Sequence, residues 1–314
     1  MKQRLNRRTT KKAEDLGRLA TEQPNRASAD LDLKTALEVA QVINAQDATV
    51  AAAVGRALPQ IAQAIDLIAS ALRRGGRLIY VGAGTSGRIA ALDAAECPPT
   101  FNVDAKTVQF VMAGGPAALA AALEANEDSR GLGRREMAKR KPGRNDVVVG
   151  IAASGRTPFT VAALDYARSK GAKTVAVTCN RDTPLQRAAH LGIVAEVGPE
   201  VISGSTRMKA GTAQKMILNM LSSGAMARLG YVYGNLMINV PPKNSKLAAR
   251  GVSILQRAAD VDRKTAQQAL KASRNRVPVA LVMLHAGVDR RTAEQALQSA
   301  RGHVRQAIAA AKSR

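Results

Sequence analysis

The sequence predicts an α/β fold, a doubly wound five-stranded parallel sheet with N-terminal helices and a small C-terminal helical bundle. Short, continuously apolar runs typical of buried parallel strands recur between residues 78 and 197, and helix-like patterns separate them. Repeated strand–helix–strand units form parallel sheets, so we expect helices on both faces. A chain of 314 residues, 46% of them hydrophobic and 23% charged, buries a core of this size without disulfides or metals.

Within the central part of the chain, five β-branched runs predict the strands and one long apolar helix follows them. The helix, residues 211–229, is apolar on most faces, which predicts burial in the core or in a dimer interface. Beyond it, Asp262, Asp289 and Thr292 are the signals that start helices of the bundle. The predicted strands are residues 78–81, 108–112, 147–151, 174–178 and 193–197.

Changes of pattern divide the chain into four segments. The first segment has six Lys and Arg residues and no acidic residue. The prolines at 241 and 242 mark a linker before the last segment. The predicted segments are a basic tail at 1–12, an N-terminal helical segment at 13–66, a sheet domain at 67–232 and the helical bundle at 246–314.

The charge balance is strongly basic, with 47 Lys and Arg against 24 Asp and Glu, a net +23 at neutral pH. Nucleic-acid binding is nevertheless disfavoured, because only 2% of the residues are aromatic, Trp is absent and no nucleic-acid-binding motif occurs. Two interpretations of the positive charge are left, a solvated basic surface and an electrostatic field that attracts anionic substrates.

The cysteines and histidines give no sign of a metal or cofactor. Cys97 and Cys179 are too few for a disulfide framework, and neither belongs to a zinc motif. His190, His285 and His303 lack the spacing of a triad or a metal site, so we interpret them as structural. The N-terminus lacks the apolar stretch of a secretory signal, and the apolar runs are too short to cross a bilayer. We therefore expect a cytoplasmic protein without cofactor, metal or membrane contact.

Three loops at the predicted carboxyl ends of strands share glycine and hydroxyl residues. The first loop is Gly82–Arg88, the second loop Ala153–Thr157 and the third loop Ser203–Arg207. Glycines let backbone N–H groups approach an anion, and hydroxyls donate further hydrogen bonds. Ligands of open parallel sheets bind at this edge, which makes a phosphorylated ligand the leading interpretation. Glycines that only form tight turns are the alternative, and it is weaker for three loops than for one.

Other motif-based interpretations of these loops fit less well. The first loop matches GxGxxG, but a dinucleotide site needs an acidic residue near the end of the second strand, and residues 112–115 contain none. No Gly-Lys-Ser/Thr follows, which excludes a Walker A loop. Ser154 does not meet the GxSxG pattern of a nucleophile elbow.

Two carboxylates are candidates for acid–base chemistry. Glu96 comes just before Pro98 and Pro99, which we expect to hold the chain extended and stiff. Glu127 is expected on the helix that follows the second strand. Ordinary surface exposure is the usual fate of Glu, but acids are scarce here and these two flank the loops, which favours a function.

Several blocks of sequence together resemble one known family, the N-acetylmuramic acid 6-phosphate etherases, which have the sugar isomerase (SIS) fold. Glu96–Thr100 and Ser205–Thr212 are the most specific blocks, and the likeness extends from about Leu16 to near the C-terminus. Ala95, Ala125 and Asn126 depart from the family's usual residues. The remaining blocks are Leu19–Asn25, Leu78–Arg88, Asp93–Phe101, Glu127–Ser129, Gly150–Thr157, Ser203–Lys215 and Tyr233–Met237.

The resemblance implies cleavage of the lactyl ether of N-acetylmuramic acid 6-phosphate during cell-wall recycling, with Glu96 as proton donor and Glu127 as the second catalytic carboxylate. It also implies that residues 67–232 are a SIS phosphosugar-binding domain and that a homodimer forms its site between subunits. A non-catalytic sugar-phosphate-binding regulator and an aldose–ketose phosphosugar isomerase are the alternatives, and the two carboxylates argue against a regulator. The expected substrate-binding residues are Gly84, Thr85, Ser86, Gly87, Glu124, Ser154, Gly155, Thr157, Ser203, Ser205 and Lys209.

Overall fold

The computed structural model describes residues 17, 19–121, 126–239 and 245–313, and the predicted basic tail lies outside them. Short 3₁₀ turns occur at Ala20–Glu22, Arg26–Ser28, Leu31–Leu33 and Gly115–Leu119. The helices and strands are α1 (Ala36–Asp47), α2 (Val50–Gly55), α3 (Leu58–Arg73), β1 (Leu78–Gly82), α4 (Gly84–Phe101), β2 (Val108–Met112), α5 (Arg130–Lys139), β3 (Val147–Ile151), α6 (Pro158–Ser169), β4 (Lys173–Thr178), α7 (Pro184–Ala188), β5 (Leu191–Val194), α8 (Lys209–Arg228), β6 (Val232–Tyr233), β7 (Leu236–Met237), α9 (Ser245–Ala259), α10 (Arg263–Ala272), α11 (Val277–Ala286), α12 (Arg290–Ser299) and α13 (Val304–Lys312).

The five predicted strands form one parallel sheet in the order β2-β1-β3-β4-β5. Leu78 of β1 pairs with Val108 of β2 on one side and with Val147 of β3 on the other. The predicted parallel sheet is therefore confirmed. The fifth strand is Leu191–Val194 and not 193–197, because Val194 is the last residue that pairs with β4.

Helices cover both faces of this sheet. Ile79 and Val81 of β1 pack in one core cluster with Leu164 of α6. Successive strand residues point to opposite faces, and Tyr80 between them donates a hydrogen bond to the Asp93 carboxylate of α4, 2.8 Å away. The doubly wound arrangement is confirmed.

The chain divides into two compact units, residues 1–94 with 106–221 and residues 95–105 with 222–314. The five-stranded sheet lies in the first unit. The second unit contains α9–α13 around a core of its own, which includes Leu255, Leu281 and Leu297. The predicted C-terminal helical bundle is therefore present.

The bundle consists of two overlapping three-helix units that share α11 and are related by a shift of 27 residues, from Arg263 to Arg290. The same shift relates Asp262 to Asp289, and each caps its helix by accepting a hydrogen bond from the backbone three residues on. Both aspartates thus start helices as predicted, and Thr292 is the residue whose N–H donates to Asp289.

Two local predictions are wrong. The chain is not extended at Pro98 and Pro99, since α4 continues through both to Phe101. Each proline removes its own N–H donor and crowds the carbonyl four residues earlier, but its fixed φ is helical. The helix continues past them, since the Pro98 carbonyl accepts a hydrogen bond from Asn102 N at 2.9 Å. Glu127 does not lie on a helix either, because α5 begins at Arg130, where the Ser129 side chain caps it.

Candidate functional site

The order of the strands places a crevice at the carboxyl ends of β1 and β3. The chain leaves β1 toward β2 on one side and continues from β3 toward β4 on the other. Crossovers that diverge in this way leave a ligand-binding crevice between them. The first and second loops follow β1 and β3, so both border this crevice.

The first loop is the first turn of a helix. β1 ends at Gly82 and α4 begins at Gly84, so the leading N–H groups of the helix point toward the crevice without intrahelical acceptors. Gly84 has a φ of 52°, which a side chain would strain. Ser86 is buried and the side chain of Thr85 is half-buried. This turn can bind an anion through backbone and hydroxyl donors.

The carboxylate of Glu127 lies against this turn. Its Oε1 atom is 2.9 Å from the position that a Cβ on Gly84 would take. The Glu127 carbonyl accepts a hydrogen bond of 3.0 Å from the backbone N–H of Phe159, at the start of α6. The backbone of Glu127 is thus held at the start of α6, and its carboxylate lies beside the first loop. Glu124 lies outside the described residues.

Tight packing shapes the second loop. Gly155 has a φ of 67°, and a Cβ there would lie 2.4 Å from the Thr183 hydroxyl. The Ser154 hydroxyl accepts a hydrogen bond of 3.2 Å from Arg156 N. Thr157 occupies the N-cap position of α6, but its side chain makes no capping hydrogen bond, so its hydroxyl is positioned for another acceptor.

The third loop leads into the N-terminus of α8, where the side chain of Glu200 already accepts hydrogen bonds from the first backbone N–H groups. Glu200 is fully buried and accepts hydrogen bonds from Lys209 N at 2.8 Å and Ala210 N at 2.9 Å. Burial raises the pKa of Glu200, against the opposing effect of these hydrogen bonds. Ser203 is exposed and Ser205 half-buried.

The Lys209 ammonium also has protein partners. It donates to Gln46 Oε1 and to the Pro199 carbonyl, both at 3.2 Å, and burial lowers the pKa of Lys209. The predicted role of Lys209 in substrate binding stays a prediction. Glu96 lies on α4 with an exposed side chain, three residues after Asp93.

Other titratable side chains make contacts within the fold. His190 Nδ1 lies 2.7 Å from the Thr174 hydroxyl, and His285 Nε2 lies 3.0 Å from the Ala258 carbonyl. Both cysteines are buried, and burial, together with the charge of Glu200, raises the pKa of Cys179 to about 12. Within the described part of the chain, no group of three or more His, Cys, Asp or Glu residues could hold a metal ion. No helix among the described residues is long and apolar enough to span a membrane.

Comparison with known protein families identifies the class. Residues 136–223 match the SIS domain, and residues 60–168 match the glucokinase regulatory protein N-terminal SIS domain. The parallel sheet with its hydroxyl loops is therefore a SIS domain. Among solved structures, a phosphoheptose isomerase from Neisseria gonorrhoeae is similar over 62% of this chain and 100% of its own, at 17% identity and a TM-score of 0.48.

Curated relatives define the particular family. An N-acetylmuramic acid 6-phosphate etherase from Symbiobacterium thermophilum is 54% identical over 271 residues, which cover 86% of this chain and 90% of the relative. Etherases from Edwardsiella ictaluri and Aeromonas hydrophila are 51% and 49% identical, over 86% of this chain and 90% and 91% of their own lengths. The chain belongs to the N-acetylmuramic acid 6-phosphate etherase family.

Proposed function

We propose that the protein is a carbon–oxygen lyase that cleaves the D-lactyl ether of N-acetylmuramic acid 6-phosphate, giving N-acetylglucosamine 6-phosphate and D-lactate in cell-wall recycling. The observation that supports this most directly is the Glu127 carboxylate against Gly84 of the first loop, in a chain about half identical to etherases over 86% of its length. The match to the regulatory domain covers residues 60–168 alone, which favours the etherase over a regulator.

The chemistry follows from the bond that breaks. An alkoxide is a poor leaving group, so direct displacement of an ether is slow. Opening of the sugar ring exposes an aldehyde at C1, which acidifies the C2 proton and places the lactyl oxygen on C3, β to the carbonyl. A base then takes the C2 proton, an acid protonates the departing lactate, and water adds to C3 of the resulting double bond. Two carboxylates suffice for these proton transfers.

We assign these transfers to Glu96, as proton donor, and Glu127, as the second carboxylate. The Phe159 hydrogen bond holds the backbone of Glu127, and its carboxylate lies beside the first turn of α4, a placement that suits a group that must meet one carbon atom. The phosphate is a remote group whose binding orients C2 and C3. The hydroxyls of Ser86, Ser154 and Thr157 are its proposed donors, and the net charge of +23 attracts the anionic substrate.

We further propose a homodimer with the site between subunits, in the cytoplasm, where phosphorylated sugars are metabolised. Helix α1 supports the dimer, because it contains no buried residue, and Leu33 and Leu37 are 82% and 68% exposed in the single chain. Burial of such leucines against a second copy stabilises a dimer. Leu37→Lys should shift the sedimentation of the protein from dimer to monomer, and an unchanged dimer would contradict this interface.

Lactate release tests the catalytic assignment. Glu96→Gln and Glu127→Gln should each lower kcat by roughly 10²–10⁴-fold, because each removes a positioned acid or base, while the circular dichroism spectrum stays unchanged. Glu136→Gln is the matched control, because Glu136 pairs with Lys139 on the surface of α5, and it should retain full activity. Lactate release near the wild-type rate by either site variant would overturn that residue's assignment.

A further inference from the structure

The N-terminal motif Leu19–Asn25 has no role in the function described so far, yet it is hydrogen-bonded to Asn180, just beyond the end of β4. Asn180, which follows β4, accepts a hydrogen bond of 3.0 Å from Ala20 N and donates one of 3.1 Å to the Thr21 hydroxyl. The same Asn180 amide donates to the carbonyl of Ala153, at the start of the second loop, at 3.0 Å. One buried amide thus fixes the N-terminal motif to the second loop.

The same motif also contacts the third loop. The Ser203 hydroxyl donates to the carbonyl of Glu22 at 3.3 Å, and the Asn25 amide donates to the Pro199 carbonyl at 3.3 Å. Just beyond the motif, the Ser28 hydroxyl donates to the carbonyl of Val201 at 2.7 Å. The N-terminal motif therefore bridges the second and third loops.

With this bridge, the contacts around the carboxyl edge of the sheet form a closed ring. The third loop leads into α8, where a Cβ on Gly211 would lie 3.5 Å from the Thr85 methyl group of the first loop. Glu127 links the first loop to the start of α6, next to the second loop. The N-terminal motif is the fourth wall of a crevice whose other three walls are the hydroxyl loops.

Glu22 is the charged side chain of this fourth wall. Its Oε2 atom lies 3.2 Å from the position that a Cβ on Gly204 would take, and the side chain is half-buried. No donor among the described residues forms a hydrogen bond with this carboxylate. Behind the same loop, the Glu200 carboxyl group already accepts hydrogen bonds from Lys209 N and Ala210 N at the start of α8, so these two donors are not available to a phosphate. The Glu22 carboxylate repels a phosphate and accepts hydrogen bonds from hydroxyl and amide donors.

We propose that Glu22 is a substrate-binding residue that accepts hydrogen bonds from the neutral hydroxyl or amide groups of the amino sugar at the third loop and keeps the phosphate away from that loop. The inference rests on the proposed function for the identity of the sugar. Its geometry depends only on the ring of contacts described above.

Inhibition by two ligands tests the inference. In Glu22→Gln and Glu22→Ala, the inhibition constant of N-acetylglucosamine 6-phosphate should rise roughly 10–100-fold, the range expected for loss of a hydrogen bond to a charged group. That of inorganic phosphate should stay unchanged or fall, because phosphate does not use Glu22. The KM of the ether substrate should rise while kcat stays within about threefold, the pattern of lost uniform binding.

Glu136→Gln is the matched control, since Glu136 is a carboxylate outside the motif and the three loops that pairs with Lys139 on the surface of α5, and its constants should equal those of the wild type. Equal weakening of both inhibitors, or of neither, would overturn the role of Glu22. A lower melting temperature with unchanged inhibition would also overturn it, because the residue would then be structural only. Failure of the wild type to release lactate would instead contradict the proposed function and leave the two-ligand comparison interpretable.

Discussion

Replacing Gly155 by Ala should destabilise the second loop by an amount that the structure sets. Its φ of 67° costs a residue with a side chain about 1–2 kcal/mol. The added Cβ would also lie 2.4–2.5 Å from three atoms of Thr183, and overpacking of this kind costs about 1–3 kcal/mol more. The expected loss is about 2–5 kcal/mol, which lowers the melting temperature by about 4 °C or more in a protein of this size.

Two glycines of the same chain separate the two contributions. Gly198 has a φ of 71° and no atom within 4 Å of an added Cβ, so Gly198→Ala should cost only the backbone contribution, about 1–2 kcal/mol. Gly143 has neither a positive φ nor an atom within 4 Å of an added Cβ, so its replacement should leave stability unchanged or raise it slightly. Thermal unfolding followed by circular dichroism gives the order of the melting temperatures of the three variants. If Gly155→Ala and Gly143→Ala have the same melting temperature, the reasoning about this loop is refuted.

Two further predictions concern charge. Burial raises the pKa of Asp146, but hydrogen bonds from Arg77 and Gly143 outweigh burial and hold that pKa below its usual value. The ionised Asp146 therefore stabilises the folded protein fully above about pH 4, and this stabilisation is lost as pH falls through the lowered pKa. Asp146→Asn should therefore lose about 2 kcal/mol at neutral pH and less in acid, as measured by urea unfolding, and an equal loss at both pH values would contradict this. Removal of residues 1–12 should leave lactate formation intact and reduce only salt-sensitive binding to polyanions, measured by retention on heparin; an inactive truncation would show that the tail reaches the site.

The sheet could be predicted from the sequence because its strands are buried on both faces and therefore uniformly apolar. The prediction was wrong where pairing, not hydropathy, sets a boundary, as at the end of β5. It is also wrong at Pro98 and Pro99, because α4 continues although the two prolines remove two N–H donors and crowd the preceding turn. The prediction of Glu127 on a helix is wrong because the Ser129 side chain caps α5 after it.

The three loops of the site could be predicted from the sequence, but the contacts that join them could not. The three loops are local motifs, so glycine and hydroxyl spacing identified them. The contacts that close the ring join Thr21 to Asn180 across 159 residues, and no local pattern marks such a pair. Nor could sequence show that Lys209 turns inward to Gln46. The 27-residue duplication is not part of the strand and helix patterns that predict the fold, but comparison of Val261–Leu270 with Val288–Leu297 shows it in the sequence.

The central claim is that the ether breaks by elimination at C2 and C3 and that water is then added at C3. The most direct test is to convert N-acetylmuramic acid 6-phosphate in H₂¹⁸O and analyse both products by mass spectrometry. The account predicts one ¹⁸O at C3 of N-acetylglucosamine 6-phosphate beyond any exchange at the C1 aldehyde, and no ¹⁸O at the C2 hydroxyl of lactate. Label in that lactate hydroxyl, with the sugar unlabelled at C3, would contradict it.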